Sequence, residues 1–385
     1  MGDRNKVKIS SLAAVTPMGN DEDELVLNIR SRSLPAFYPR ALPGHLKEKV
    51  RVSAFDESCF HRVGDSFEGL ISRVLDRLVA DRGLSEGELA RTGLLVGTSG
   101  CIVEAERAFI REKERGEGHP VPISIEGAGS MSLSLARMRG IKGPVITFTT
   151  ACTSSANALL SALSLIEEGD LERVIVIGAE VLNSLTMNGF FSLMLLTSHG
   201  CRPFDREREG IHLGEGVAAL LLEATGNDDK GIVLAGGANL CDRENVISIS
   251  KDGSSIRAVM NEALDSAGIG PEQVRAIKTH GIGSKDNDAA EALAMKKIFG
   301  KNIPPFTSLK GYFGHTLGAA GAIELVALLA CLKRGFIPAA AGFCSADELM
   351  GISPLEQEIQ AGAGYYLLNF LGFGGNNTSM VLRYE

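Results

Sequence analysis

The chain has 385 residues and a formal net charge of -8, with 44% hydrophobic and 5% aromatic residues, 45 glycines and no tryptophan. The negative balance excludes general nucleic-acid binding, and no apolar run approaches the ~20 residues of a membrane span. Its 7 cysteines form no CxxC pair, so neither a disulfide framework nor a zinc site is indicated and no metal is expected. The odd count fits a reducing cytoplasm. The N-terminus carries charges where a secretory signal needs an apolar core. A cytoplasmic α/β protein without membrane or nucleic-acid contacts is therefore expected, its length sufficient for one large domain or two ordinary ones.

Val7–Leu12 reads as a first strand, followed by a Pro/Gly turn over Ala13–Asn20 and a short helix over Asp21–Arg32. The proline-containing stretch from Leu34 to about Phe60 reads as irregular. Phe67–Asp81 has apolar residues at helical spacing (Leu70, Ile71, Val74, Leu75, Leu78, Val79), so an amphipathic helix is predicted there. Thr92–Thr98 reads as a buried strand and Val103–Glu117 as a charged helix. The β-branched run Val145–Thr150 then stops at Cys152, and a helical pattern begins at once with Ala156, Leu159, Leu160, Leu163 and Ile166. Arg173–Glu180 is another apolar strand. Continuous apolar runs separated by helices indicate parallel strands covered on both faces.

Gly189–Leu196 is apolar without strand alternation, and Gly210–Glu223 forms a glycine-rich strand. A polar break at Gly226–Lys230 precedes a strand over Ile232–Ala238. The programme then repeats: helix Ser255–Ala267, strand Ala276–His280, helix Asp288–Phe299, strand Phe306–Lys310, helix Ala319–Arg334, and two strands flanking Leu371–Asn377. Residue identity between the halves is low, but the element order suggests an internal duplication, with a first half over 1–245 and a second over 246–385.

Three positions carry chemistry. Cys152 lies at a strand-to-helix elbow, where unpaired N–H groups and the helix dipole favour a thiolate. A buried structural cysteine behaving as a small hydrophobe is the alternative. His280 ends a strand in Thr279-His280-Gly281-Ile282-Gly283-Ser284, and His315 opens a helix in Gly314-His315-Thr316-Leu317-Gly318-Ala319-Ala320-Gly321. Each histidine could also be structural, and Gly318–Gly321 could simply let two helices approach. In doubly wound sheets, however, C-terminal strand ends share a ligand-binding edge, so the three can converge.

These stretches, with Thr150-Ala151-Cys152-Thr153-Ser154-Ser155, Lys310-Gly311-Tyr312-Phe313 and Gly372-Phe373-Gly374-Gly375-Asn376-Asn377, resemble the β-ketoacyl-[acyl-carrier-protein] synthases of the thiolase superfamily. Ala14–Gly19, Arg202–Asp205 and Leu213–Gly216 extend the resemblance nearly end to end, in the family's order. It implies a thiolase-like five-layer αβαβα fold of two similar halves, each with a mixed sheet. It implies a decarboxylative Claisen condensation: Cys152 takes an acyl group as a thioester, malonyl carrier protein loses CO₂, and the carbanion attacks that thioester.

By the same resemblance, His280 and His315 hold the enolate oxygen, and Lys310 sets their electrostatics and orientation. The N–H groups of Cys152 and Phe373 form the oxyanion hole. Phe373, between Gly372 and Gly374, is also a candidate gate. Ile282 and Ser284 stand where the family's threonines bind the phosphopantetheine arm, and Gly372 and Gly374 flank the same route. Glu324 is expected as a buried structural partner. No resident cofactor is implied, since substrates ride on the carrier protein's phosphopantetheine. The partners implied are acyl carrier protein and a second subunit, in a homodimer or a heterodimer with a related chain.

Departures from the family pattern bear on pathway. Thr-His-Gly-Thr-Gly-Thr is here Thr-His-Gly-Ile-Gly-Ser, the region before Cys152 is short, and basic residues are sparse near Arg62. These point to a specialised lipid or polyketide pathway. The sequence leaves two other readings. A non-catalytic chain-length partner typically lacks the cysteine, which is present here. A coenzyme A thiolase needs a second cysteine in the last glycine-rich turn, where this chain has Leu371 and Phe373.

Overall fold

A computed structural model describes residues 5–34, 50–55, 67–99, 106, 129–226, 231–243 and 249–385. All but Glu106 of the expected helix over Val103–Glu117, most of the irregular stretch after Leu34, and Arg62 lie outside them. Ten strands form one continuous ladder. They are β1 (Lys6–Val15), β2 (Gly93–Gly97), β3 (Val145–Phe148), β4 (Arg173–Glu180), β5 (Gly216–Thr225), β6 (Ile232–Cys241), β7 (Val274–Lys278), β8 (Phe306–Thr307), β9 (Gly364–Leu371) and β10 (Asn376–Tyr384).

The ladder runs β3-β2-β4-β5-β1 and then β6-β10-β9-β7-β8. Taken in chain order, each set of five strands has the same spatial order, 3-2-4-5-1. The strand directions also repeat. In the first set β2 pairs parallel with β3 and β4, while β5 is antiparallel to β4 and β1. In the second, β7 pairs parallel with β8 and β9, while β10 is antiparallel to β9 and β6. Two similar halves with mixed sheets follow directly, and among the described residues their two sets of strands are paired at Val7↔Leu234 and Lys8↔Val233. The second repeat begins at Ile232, ahead of the division expected at 245, because β6 pairs along its length with β10.

Helices Ser154–Glu167 and Ala320–Lys333 pack against each other between the two sheets. Every residue from Ala320 to Leu332 is buried, the pattern of a helix covered on all sides and apolar all round but for Glu324. Small residues let these backbones meet. A Cβ on Gly321 would lie 2.4 Å from the Ala156 nitrogen, so the glycine-rich run does serve close packing as well as placing His315. Phe67–Arg82 and Gly129–Met138 cover the outer face of the first sheet, and Ser254–Ala267 and Lys285–Phe299 that of the second. The layers are therefore αβαβα.

Sequence and structure differ at one apolar stretch. Ser184–Ser192 is a helix, capped by Asn183, whose side chain accepts the Thr186 N–H at 2.9 Å. Its apolar residues partly face outwards, Leu185 being 68% exposed, which hid the helical period. Among the described residues no helix is long and apolar enough to cross a membrane.

Candidate active site

Cys152 sits in a single 3-10 turn, Ala151–Thr153, between β3 and the central helix Ser154–Glu167. Ala151 takes a left-handed φ of 52°, a conformation an alanine holds only where its surroundings impose it. The Ser154 hydroxyl imposes it here, accepting from the Thr150 N–H at 3.0 Å and donating to the Ala151 carbonyl at 2.7 Å.

A polar knot fixes this turn to the glycine-rich turn after β9. Asn157 Nδ2 donates to Asn376 Oδ1 at 2.8 Å, and Asn239 Nδ2 donates to Asn157 Oδ1 at 2.9 Å and Asn376 Oδ1 at 2.8 Å. The Thr378 hydroxyl donates to Asn157 Oδ1 at 2.8 Å. The knot draws on a helix, β6 and β10. Opposite Cys152, the Phe373 N–H faces the sulfur and favours its ionised form. The Phe373 ring stacks on Phe190, centroids 5.5 Å apart and 16° from parallel. Gly374 supplies the turn with a φ of 81°.

The histidine loops hang from buried carboxylates. Glu291 accepts the N–H groups of His280 at 2.8 Å and Gly281 at 2.9 Å. Asp288 accepts those of Ile282 at 3.0 Å, Gly283 at 3.1 Å and Phe204 at 2.8 Å. Burial raises both acids, Asp288 to about 7. His280 Nδ1 accepts the Leu371 N–H at 3.2 Å, which leaves the proton of the neutral ring on Nε2. His315 is anchored by its own N–H, donated to the His212 carbonyl at 2.7 Å. The two rings meet edge to face, centroids 5.6 Å apart.

Burial, reinforced by the Lys310 ammonium, holds both histidines well below the ordinary imidazole range, so both are neutral. Beneath them Glu324 Oε1 accepts from Lys310 and Oε2 accepts from Lys278 at 2.6 Å.

Cys152, His280 and His315 line one cavity of about 450 Å³, together with Phe190, Ile211, Leu371 and Phe373. Three expectations change. Cys152 is 4% exposed, and burial pushes its thiol up to about 11 against the opposing pulls of the Phe373 N–H and Lys310. The resting group is therefore a thiol, because desolvation among Val52, Met187, Ile211 and Leu213 outweighs the helix terminus. Gly374 is exposed and outside the cavity wall, which Gly372 and Gly375 complete. Lys310 is fully buried and is not among the residues lining the cavity, and its charge bears on both histidines.

Ile282 and Ser284 both line the cavity. The Ile282 side chain also packs in the apolar cluster around Cys152, so its lack of a hydroxyl matches its surroundings. Sequence reading missed Lys278, Asp288, Glu291 and the asparagine knot. A lysine standing two residues before His280 in an apolar strand was the one visible signal.

A β-ketoacyl synthase N-terminal domain model matches residues 4–228, and a β-ketoacyl synthase C-terminal domain model matches residues 231–343. The chain belongs to the β-ketoacyl synthases of the thiolase superfamily, which are acyltransferases. It is 30% identical over 329 residues to 3-oxoacyl-[acyl-carrier-protein] synthase 2 of Vibrio cholerae, covering 79% of this chain and 78% of that one. To a putative polyketide beta-ketoacyl synthase 1 of Streptomyces cyaneus it is 28% identical over 334 residues, covering 80% and 79%. A solved ketosynthase from Xenorhabdus doucetiae, in complex with its chain length factor, superposes with a TM-score of 0.85 at 28% identity. That likeness covers 99% of this chain and 98% of the other.

Proposed function

We propose that the chain is a 3-oxoacyl-[acyl-carrier-protein] synthase acting in a fatty-acid or specialised lipid or polyketide pathway. The observation that carries this is the single cavity walled by a buried cysteine and two neutral histidines. Cys152 attacks the carrier thioester, and its proton leaves with the pantetheine thiol. A soft sulfur exchanges thioesters readily, and a covalent intermediate divides one hard step into two. The N–H groups of Cys152 and Phe373 receive the tetrahedral oxyanion. Malonyl carrier protein then loses CO₂, and its enolate oxygen is held by N–H donors of His280 and His315. The enolate carbon attacks the acyl-enzyme, giving a 3-oxoacyl thioester two carbons longer and a Cys152 thiolate that takes up one proton.

The partner is acyl carrier protein. A second subunit, identical or related, fits edge strand β3, where Ile146 is 38% exposed beside Leu133 at 45% and Met138 at 52%. The described cysteines are all free thiols, which suits a cytoplasmic enzyme. Retention of Cys152, His280, His315 and Lys310 in one constellation favours a catalytic chain over a chain-length partner.

The test is mass spectrometry after incubation with a panel of acyl carrier proteins. An acyl adduct on Cys152, followed by condensation when malonyl carrier protein is added, is the expected result. No adduct from any acyl carrier protein would overturn the proposal.

Phe373 is expected to gate the cysteine. Its ring lies on Phe190 at the cavity wall, and Gly374 gives its backbone room to turn. Phe373→Ala should change which acyl chains load, while keeping the backbone N–H that the reaction uses. Competition between short and long acyl carriers reads this directly, and an unaltered ranking leaves Phe373 as a backbone donor only.

A further inference from the structure

Lys278 lies on β7, two residues before His280, and is only 2% exposed. Its ammonium has three hydrogens and three receivers. It donates to Glu324 Oε2 at 2.6 Å and to the Asn369 carbonyl at 2.8 Å, and it sits 3.5 Å from the centroid of the Phe370 ring. Hydrogens directed at a carboxylate, a carbonyl and an aromatic face favour the charged form against the burial that opposes it. A buried charge is costly, and the fold retains this one directly beneath the histidine pair.

The surrounding charges give the reason. Groups packed around the two rings are Lys310 from the turn before His315, Glu324 from the central helix, and Glu291 and Asp288 from helix Lys285–Phe299. Cys152 and His212 face them as uncharged groups. Glu324 lies between Lys310 and Lys278, and Glu291 accepts the His280 N–H. Asp288 lies in the field of Arg208, so with Lys278 present two lysines stand against the other two carboxylates, Glu291 and Glu324. Without it, one lysine faces both. A site left negative favours imidazolium over imidazole and opposes an enolate.

We propose that Lys278 is a positioning residue for the decarboxylation step: its charge offsets the second buried carboxylate, keeping His280 and His315 neutral and the enolate oxygen stabilised. This rests on the synthase reading above. Lys278 does not act on acyl transfer to Cys152, where Lys310 is the nearby cation.

The experiment uses Lys278→Gln, which keeps hydrogen bonding but removes the charge, and Lys278→Met, whose thioether can lie on Phe370. Both should lower malonyl carrier decarboxylation by roughly 10- to 100-fold, with acylation of Cys152 within about twofold of wild type. Their acidic limb of the rate profile should move to higher pH, because losing a nearby cation eases histidine protonation. NMR titration of labelled histidines should show the same upward movement.

Wild-type protein offers a test free of folding effects. Burial pulls the Lys278 ammonium down to about 8, so decarboxylation should fall as pH rises through that range while acylation continues to increase. Decarboxylation by the variants equal to wild type, with an unmoved acidic limb and histidine titration, overturns the role of Lys278. Absence of decarboxylation in wild type overturns the synthase reading instead, and the histidine titration then still decides the electrostatic one.

Discussion

Cys152→Ala is expected to abolish both the acyl adduct and condensation while leaving the fold intact. The substitution removes one sulfur from a satellite apolar cluster and disturbs none of the bonds that shape the elbow, which run through Thr150, Ser154, Asn157 and Asn376. Melting temperature should therefore stay within a few degrees of wild type, since ~1 kcal/mol shifts a large domain by only about 2–4 °C. A persistent adduct on the alanine variant would show that another nucleophile is acylated. The wild-type thiol has a second signature. Because burial pushes it up to about 11, the thiolate fraction is small at neutral pH and grows tenfold per pH unit below that value. Alkylation of Cys152 by iodoacetamide should thus keep accelerating from pH 7 to 9 without a plateau. A plateau near pH 7 would mean that the helix terminus, and not burial, controls the sulfur.

That reversal marks where sequence stops being informative. The strand–elbow–helix around Cys152 was legible because an apolar run and a helical period meet there within a dozen residues. Both histidines were legible because each lies in a short contiguous glycine-containing turn. The alternating element order disclosed two halves, and the Ala320–Leu332 segment, apolar except for Glu324, agrees with a central buried helix. What burial does to the thiol depends on Val52, Met187, Ile211 and Leu213, which no local pattern joins to Cys152. The asparagine knot needs Asn157, Asn239 and Asn376 from three elements, and only the pairing of β6 with β10 brings the last two side by side. Lys278 and Glu324 are 46 residues apart and meet because the central helix and β7 share one core cluster. Gly374 differs for a simpler reason: its motif is contiguous, but which glycines face the cavity is set by the turn, and φ of 81° at Gly374 turns it outwards.

Losing either histidine should leave acylation measurable and reduce malonyl decarboxylation by ~10²–10³, the usual cost of removing one preorganised oxyanion donor. The two variants should not be equivalent. His315→Ala removes a ring whose loop is held by backbone bonds, from the His315 N–H to the His212 carbonyl and from the Gly214 N–H to the His315 carbonyl. Its effect should be confined to decarboxylation. His280→Ala also strands the Leu371 N–H, which donates to His280 Nδ1 at 3.2 Å. Leu371 leads directly into Gly372 and Phe373, whose N–H points at the cysteine sulfur. Slackening that turn should lower the acylation rate as well, by several-fold, through the net ~1 kcal/mol of a lost hydrogen bond. Measuring CO₂ release and acyl loading separately for each variant distinguishes the two effects. Equal acylation rates in both would remove the Leu371 bond from the account, and normal CO₂ release in either would remove that histidine from the mechanism. His280→Asn supplies the internal control, since an amide oxygen near the Nδ1 position can accept the Leu371 N–H. It should restore acylation towards wild type while decarboxylation stays low, because the donor at Nε2 is still missing.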